Sequence, residues 1–128
     1  KVFIMSCHVV NFATLNVIYK YMRSEGVTEE ICQATITGLH QENVEAVNHH
    51  YDKDSEIDDV WGYETSLEVT PAQVYGCMSC LAYQISDHNN YEFLPGLALL
   101  EKLQARILAD LDMTESQVRL QPEYTWGM

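Results

Sequence analysis

The stretch TPAQVYGCMSCLAYQISDH, residues 70–88, carries the clearest local structural signal in a chain of 128 residues. Thr70 is a good N-cap, Pro71 suits the first helical position, and Gln73 can complete a capping box with Thr70. The apolar residues that follow recur at helical spacing and form one stripe: Val74, Cys77, Met78, Leu81 and Ile85. The stretch therefore predicts a packed helix from about Pro71 to Ile85 or slightly beyond.

Two helices are predicted before this stretch. Ser6 can cap a first helix that begins at Cys7, and Gly26 supplies its stop signal. Thr28 can cap a second, longer helix that should end near Tyr51. Apolar residues recur at helical spacing through both segments, so each helix should bury one face.

Further helical segments are predicted after the stretch. Residues 87–90, Asp-His-Asn-Asn, have turn chemistry and predict a loop. Pro95 should start another helix with an apolar inward face. Thr114 can open a short final helical turn, and residues 124–128 form a tail with aromatic anchors.

Extended structure is predicted in two places only. Val2–Met5 is a short apolar run, and Trp61–Val69 alternates between apolar and polar residues, so the two segments can pair. We therefore expect a mainly α fold, or α+β with at most a small two-stranded sheet. The length suits a single compact helical domain over residues 1–128.

The charge of the chain limits its partners. Nineteen acidic residues and seven basic ones give a formal net charge of −12, which repels nucleic acid phosphates, so no direct nucleic-acid binding is expected. The same charge attracts a basic surface and speeds encounter with it. The acidic loop, residues 52–59, contains the candidate binding carboxylates Asp54, Glu56, Asp58 and Asp59. Simple solubility is the alternative explanation of the charge, and it stays open.

The sequence also bears on location. No run of about 18 apolar residues occurs, so we expect no membrane span. We expect that the N-terminal residues are not a signal peptide, so a cytoplasmic protein is the first expectation, with a processed secreted chain as the alternative. The four cysteines are few for this length, and we interpret them as reduced thiols: Cys7, Cys32, Cys77 and Cys80.

The end of the quoted stretch is polar, and Tyr83, Gln84, Asp87 and His88 are the candidate binding residues there. Gln84 follows Cys80 by four positions, so the sequence places both on one helix face, with Tyr83 and Asp87 beside them. One interpretation is a packed helix with a polar end, because buried polar groups usually serve structure. The other is a cluster that orders the following loop or receives a partner.

Cys77 and Cys80 lack the setting of a metal or redox site. Zinc knuckles place such a pair in a turn with a second pair elsewhere, and a low-pKa thiol needs a helix N-terminus. Hydrolase motifs and phosphate-binding glycine loops are also missing. We therefore expect no metal or cofactor and favour a non-enzymatic protein. An enzyme or metal protein that uses Cys80, His88 and a distant His8 or His49 stays open.

Four short motifs follow one another in the chain: Pro71-Ala72-Gln73-Val74, Cys80-Leu81-Ala82-Tyr83-Gln84, Asp87-His88 and Trp126-Gly127. In this order they resemble the Pro-x-Gln-Val, Cys-x-x-Tyr-Gln, acidic-His and Trp elements of a group of small uncharacterised proteins from phages and other mobile elements of bacteria. Ile85-Ser86 departs from the group, which has a Ser-Cys pair there. The resemblance suggests a source in a bacterial host cell more than a biochemistry.

The charge and the missing motifs predict a small acidic non-enzymatic binding protein that engages a host protein with a basic surface. The resemblance implies a more specific form, a phage-borne accessory or counter-defence inhibitor whose carboxylates stand in for nucleic acid phosphates. The alternative is a small-ligand-binding or metal-dependent protein with a polar pocket at Tyr83, Gln84 and His88. A homo-oligomer is compatible with this second class.

Overall fold

The computed structural model describes residues 12–50, 69–89 and 91–127, with side chains over 13–42, 69–89 and 91–124. The elements are α1 (Phe12–Ser24), α2 (Glu29–His50), α3 (Pro71–Tyr83) with a π-helical turn (Gln84–His88), α4 (Leu97–Leu111), α5 (Glu115–Arg119) and a 3-10 segment (Pro122–Gly127). No strand occurs within these ranges, so the mainly α prediction is confirmed. The two predicted extended segments lie outside the described residues, apart from Val69, which is not in a strand.

The first two helices are separated where the sequence predicts. Gly26 has a φ of +87°, which glycine adopts readily, and its N–H donates to the Arg23 carbonyl at 3.0 Å. The Val27 N–H donates to the Met22 carbonyl at 3.1 Å, which completes a Schellman motif. The Ile31 N–H then donates to Thr28 Oγ1 at 3.3 Å, which confirms Thr28 as the cap of α2.

The capping box at the start of α3 is present. The Gln73 N–H donates to Thr70 Oγ1 at 3.2 Å, and the Thr70 N–H donates to Gln73 Oε1 at 2.8 Å. Pro71 occupies the first turn as predicted, since that position needs no N–H donor. These local bonds explain why the start of this helix can be predicted from sequence.

The loop predicted at Asp87 and His88 is wrong for those two residues. The chain continues from α3 into the π-helical turn and leaves it at Asn89, whose φ is +58°. The Asn89 N–H donates to the Gln84 carbonyl, five residues earlier, which is the wide π-type bond. Asparagine tolerates this left-handed conformation, so Asn89 rather than Asp87 ends the helix.

The predicted start of α4 at Pro95 is also wrong. The Gly96 N–H donates to the Phe93 carbonyl at 2.8 Å and closes a turn that contains Pro95. Gly96 has a φ of +100°, and the helix begins after it, at Leu97. A turn that needs glycine at this φ therefore keeps the proline outside the helix.

In the C-terminal part of the chain, short-range hydrogen bonds set the end of α4 and the start of α5. Asp112, with a φ of +54°, ends α4, and its N–H donates to the Ala109 carbonyl at 3.1 Å. Thr114 caps α5 in a second capping box with Gln117, as the predicted final turn requires. The 3-10 segment then packs against α3.

The core is one apolar cluster to which every described helix contributes. Helix α3 is central, because it packs against α1, α4, α5 and the 3-10 segment. The largest fully buried side chains come from four helices: Leu15, Ile18, Met22, Leu39, Met78, Leu81, Leu100, Leu103 and Ile107. Helix α3 therefore holds its C-terminal end, and the candidate site there, at a fixed place in the fold.

Candidate functional site

Tyr83, the last residue of α3, stands at the protein surface. Its side chain is 51% exposed, although large aromatic residues are usually buried. Its ring meets the imidazole of His88 edge to face, with 4.7 Å between centroids and a 71° interplanar angle. The π-helical turn brings the two rings together, since it spans the residues between them.

Gln84, by contrast, lies in the core with only 4% of its surface exposed. It follows Cys77 by seven residues and Leu81 by three, which places all three on one helix face. Cys77 and Leu81 are themselves buried. The structure thus places Gln84 in the core, apart from the exposed Tyr83 and His88. The seven-residue spacing from Cys77 predicts this burial.

Asp87 lies on the exposed side of the same turn. The Ser86 hydroxyl donates to Asp87 Oδ1 at 3.3 Å. Tyr83, Asp87 and His88 thus form an exposed aromatic and acidic patch, which we call the π-turn surface. The other candidate carboxylates, Asp54, Glu56, Asp58 and Asp59, lie outside the described residues.

Most of the described basic side chains form ion pairs with carboxylates. Arg23 pairs with Glu29 at 3.6 Å, and Arg119 pairs with Glu115 at 2.7 Å. Lys102 and Arg106 share Glu25, at 3.1 and 3.4 Å. Exposed carboxylates without a basic side chain at ion-pair distance, within the described part of the chain, are Glu30, Asp87, Glu92, Glu101, Asp110, Asp112 and Glu123. The described surface is therefore acidic, with its positive charge largely neutralised.

Two of the paired carboxylates have perturbed acidities. The Lys102 ammonium, which hydrogen-bonds Glu25, lowers the pKa of that carboxyl, and Arg106 adds to the effect. The Tyr19 hydroxyl and the Gln33 amide donate to Glu29 and lower its pKa. Both side chains therefore keep their negative charge to lower pH than an isolated glutamate.

The sequence places Cys77 in the core and Cys80 on the face of Gln84, outside the apolar stripe, and the structure buries both cysteines. Cys77 and Cys80 are buried in the middle of the helix, with 1% and 7% of their surfaces exposed. Among residues 13–42, 69–89 and 91–124, no three His, Cys, Asp or Glu side chains converge to hold a metal ion. His8 and the side chain of His49 fall outside these ranges. None of the described helices is long and apolar enough to cross a bilayer.

A second candidate site, which the sequence analysis missed, is a shallow cleft of about 350 Å³ between α1 and α4. Its lining combines apolar, basic and hydroxyl side chains: Val17, Lys20, Tyr21, Ser24, Arg106 and Asp110. The α1 residues follow helical spacing, and so do the α4 residues, so each set shares a face. Nothing in the sequence indicates that the two faces meet.

Comparison with known proteins adds no relative, because no family model, curated protein or solved structure matches the chain. The resemblance to phage and mobile-element proteins therefore stays a prediction. The π-turn surface and the distribution of charge are the observations on which a function can be argued.

Proposed function

We propose that this protein acts by binding, and that an acidic surface engages a basic surface on a partner protein. The observation that carries the proposal is the unequal pairing of charge. Four of the five described basic side chains are held in ion pairs, whereas exposed carboxylates such as Asp87, Glu92 and Glu101 have no basic partner among the described residues. A surface of this kind attracts basic partners over distances of about 8 Å at physiological ionic strength.

The π-turn surface is the proposed point of contact. Tyr83 offers an exposed ring, and Asp87 offers a carboxylate on the same turn. An arginine of the partner can stack on the ring and pair with the carboxylate, and tyrosine is enriched among the residues that contribute most to protein interfaces. The acidic loop, residues 52–59, is proposed to steer association through its charge.

The setting we propose is the cytoplasm of a bacterial host cell. The resemblance supports a phage-borne accessory or counter-defence inhibitor, whose carboxylates occupy a groove that normally receives nucleic acid phosphates. The net charge of −12 supports a basic host protein as the partner and disfavours direct contact with nucleic acid.

The alternative, a small-ligand or metal site at Tyr83, Gln84 and His88, receives less support. Gln84 lies in the core, whereas Tyr83 and His88 are exposed. A ligand held by all three would need access to a side chain that is 4% exposed. The acidic binding surface requires no such rearrangement.

The experiment is a pull-down from bacterial lysate at low and high salt, followed by association kinetics with the captured partner. One variant replaces Asp54, Glu56, Asp58 and Asp59 with Asn or Gln, and a second carries Tyr83→Ala. The control, with the same change in net charge, neutralises four carboxylates that belong neither to the acidic loop nor to the π-turn surface: Glu30, Glu101, Asp112 and Glu123. We expect the loop variant to slow association and Tyr83→Ala to speed dissociation.

Three results contradict the proposal. An association rate that is unchanged in the loop variant, at low and high salt alike, excludes the acidic loop as the steering surface. Equal slowing in the loop variant and in the control means that net charge alone is responsible. Loss of binding in Gln84→Ala with a normal fold would favour the pocket.

A further inference from the structure

The cleft between α1 and α4 contains the one described basic side chain that lacks a carboxylate partner, Lys20. The other four are all held in ion pairs. Lys20 is exposed and lines the cleft, and it has no hydrogen bond or ion pair within the described residues. An unpaired ammonium in a chain with a net charge of −12 is available to an anion.

Arg106, on the opposite wall, is held in place but keeps donors available. Its Nη1 group donates to Ser24 Oγ and, at 3.4 Å, to Glu25 Oε2. Its guanidinium carbon lies 5.3 Å from the centroid of the Tyr21 ring. These contacts orient the guanidinium through one nitrogen, and arginine carries further N–H groups on Nε and Nη2. A pre-oriented donor costs less entropy when a ligand binds.

The remaining polar group of the cleft is Asp110. The Tyr21 hydroxyl donates to Asp110 Oδ2 at 3.1 Å, which fixes this carboxylate at the cleft wall. The lining therefore carries two positive charges, on Lys20 and Arg106, and one negative charge, on Asp110. The excess of positive charge in the lining suits a ligand with a single carboxylate. Asp110 can accept a hydrogen bond from a donor on the same ligand.

We propose that this cleft binds a small organic monocarboxylate that also carries a hydroxyl or amino group. The ligand carboxylate would pair with Lys20 and Arg106, the donor would bond Asp110, and an apolar part would lie on Val17 and the Tyr21 ring. The volume of about 350 Å³ falls within the range of small-molecule sites. This inference is independent of the acidic binding surface, which lies on other residues.

The test is a titration of ¹⁵N-labelled protein, followed by backbone amide shifts, with three probes that share one carbon skeleton. 3-Phenyllactate and phenylalanine carry the donor, and 3-phenylpropionate lacks it. We expect the first two to bind with a Kd of about 1 mM or below, with shifts on α1 and α4, and 3-phenylpropionate to bind several-fold more weakly. Inorganic phosphate should bind more weakly than the first two, because Asp110 repels a second negative charge.

Variants of Lys20 decide whether the cleft is the site. Lys20→Gln should raise the Kd of 3-phenyllactate about tenfold, since a charge-assisted bond is lost, whereas Lys20→Arg should retain binding. Arg119→Gln has the same change in net charge, and Arg119 pairs with Glu115 outside the cleft lining, so this variant should leave the Kd within about twofold. No shifts at about 10 mM probe, equal Kd values in Lys20→Gln and Arg119→Gln, or equal binding of 3-phenylpropionate would overturn the proposal.

Discussion

Gly76 in α3 leaves the space that Tyr124 of the 3-10 segment occupies. A Cβ at position 76 would lie 3.2 Å from the Tyr124 ring carbons Cδ1 and Cε1 and 3.2 Å from its carbonyl oxygen. Tyr124 is 7% exposed, and its ring centroid lies 6.1 Å from that of Tyr75. The C-terminal segment thus packs closely on α3 at a position where a Cβ would crowd Tyr124.

Gly76→Ala should lower the free energy of unfolding by about 1–3 kcal/mol, because both the ring and the backbone of Tyr124 must shift. Gly38 in α2 is the control, since a Cβ there meets no described atom within 4 Å. Gly38→Ala should raise stability by about 0.5–1 kcal/mol through helix propensity. Urea denaturation of both variants measures the changes in the free energy of unfolding. A stabilised Gly76→Ala protein would show that the 3-10 segment shifts at little energetic cost.

Thr70→Ala should destabilise the protein by about 1 kcal/mol, because it removes the cap of α3. Thr37, an exposed threonine inside α2, provides the control. Thr37→Ala should be neutral or slightly stabilising, since alanine is the better helix former. Thermal unfolding of the two variants separates capping from helix propensity, and equal changes in Tm would count against the capping box.

Because Tyr83 is exposed and Gln84 is buried, replacing them should have different effects on stability. Tyr83→Ala removes an exposed side chain and should change the free energy of unfolding by no more than about 0.5 kcal/mol. Gln84→Ala removes a buried polar side chain and should cost about 1–3 kcal/mol. Chemical denaturation checks both, and a strongly destabilised Tyr83→Ala protein would mean that this ring serves the fold.

Glu25 should make stability depend on pH. Lys102, and then Arg106, lower the pKa of Glu25 in the folded protein, so its contribution is fully present above the unfolded pKa of about 4.3. That contribution is lost as the pH falls through the lower, folded pKa. The difference in Tm between wild type and Glu25→Gln should therefore shrink on acidification from pH 7. Glu101→Gln, which removes an unpaired carboxylate, should show no such loss.

The protein should bind no stoichiometric zinc. Cys77 and Cys80 are buried in the middle of α3, and a zinc ion needs four converging ligands. Elemental analysis of protein purified without chelator measures the content. One zinc per chain that survives dialysis would contradict this prediction.

The sequence by itself determines the features that depend on neighbouring residues. The capping boxes at Thr70 and Thr114 and the stop at Gly26 are set by side chains and backbone within five residues, so their signals are local. The apolar stripe of α3 likewise follows from helical spacing. The sequence also identifies the aromatic and acidic residues of the π-turn surface, whereas the exposure of Tyr83 is seen only in the structure.

Only the tertiary structure decided which of these features meet. The Gly76–Tyr124 contact and the pairing of Lys102 with Glu25 join segments that no short window specifies. The cleft between α1 and α4 arises in the same way. The physical reason is that packing is optimised over the whole core, so the position of one helix face depends on residues distant in the chain.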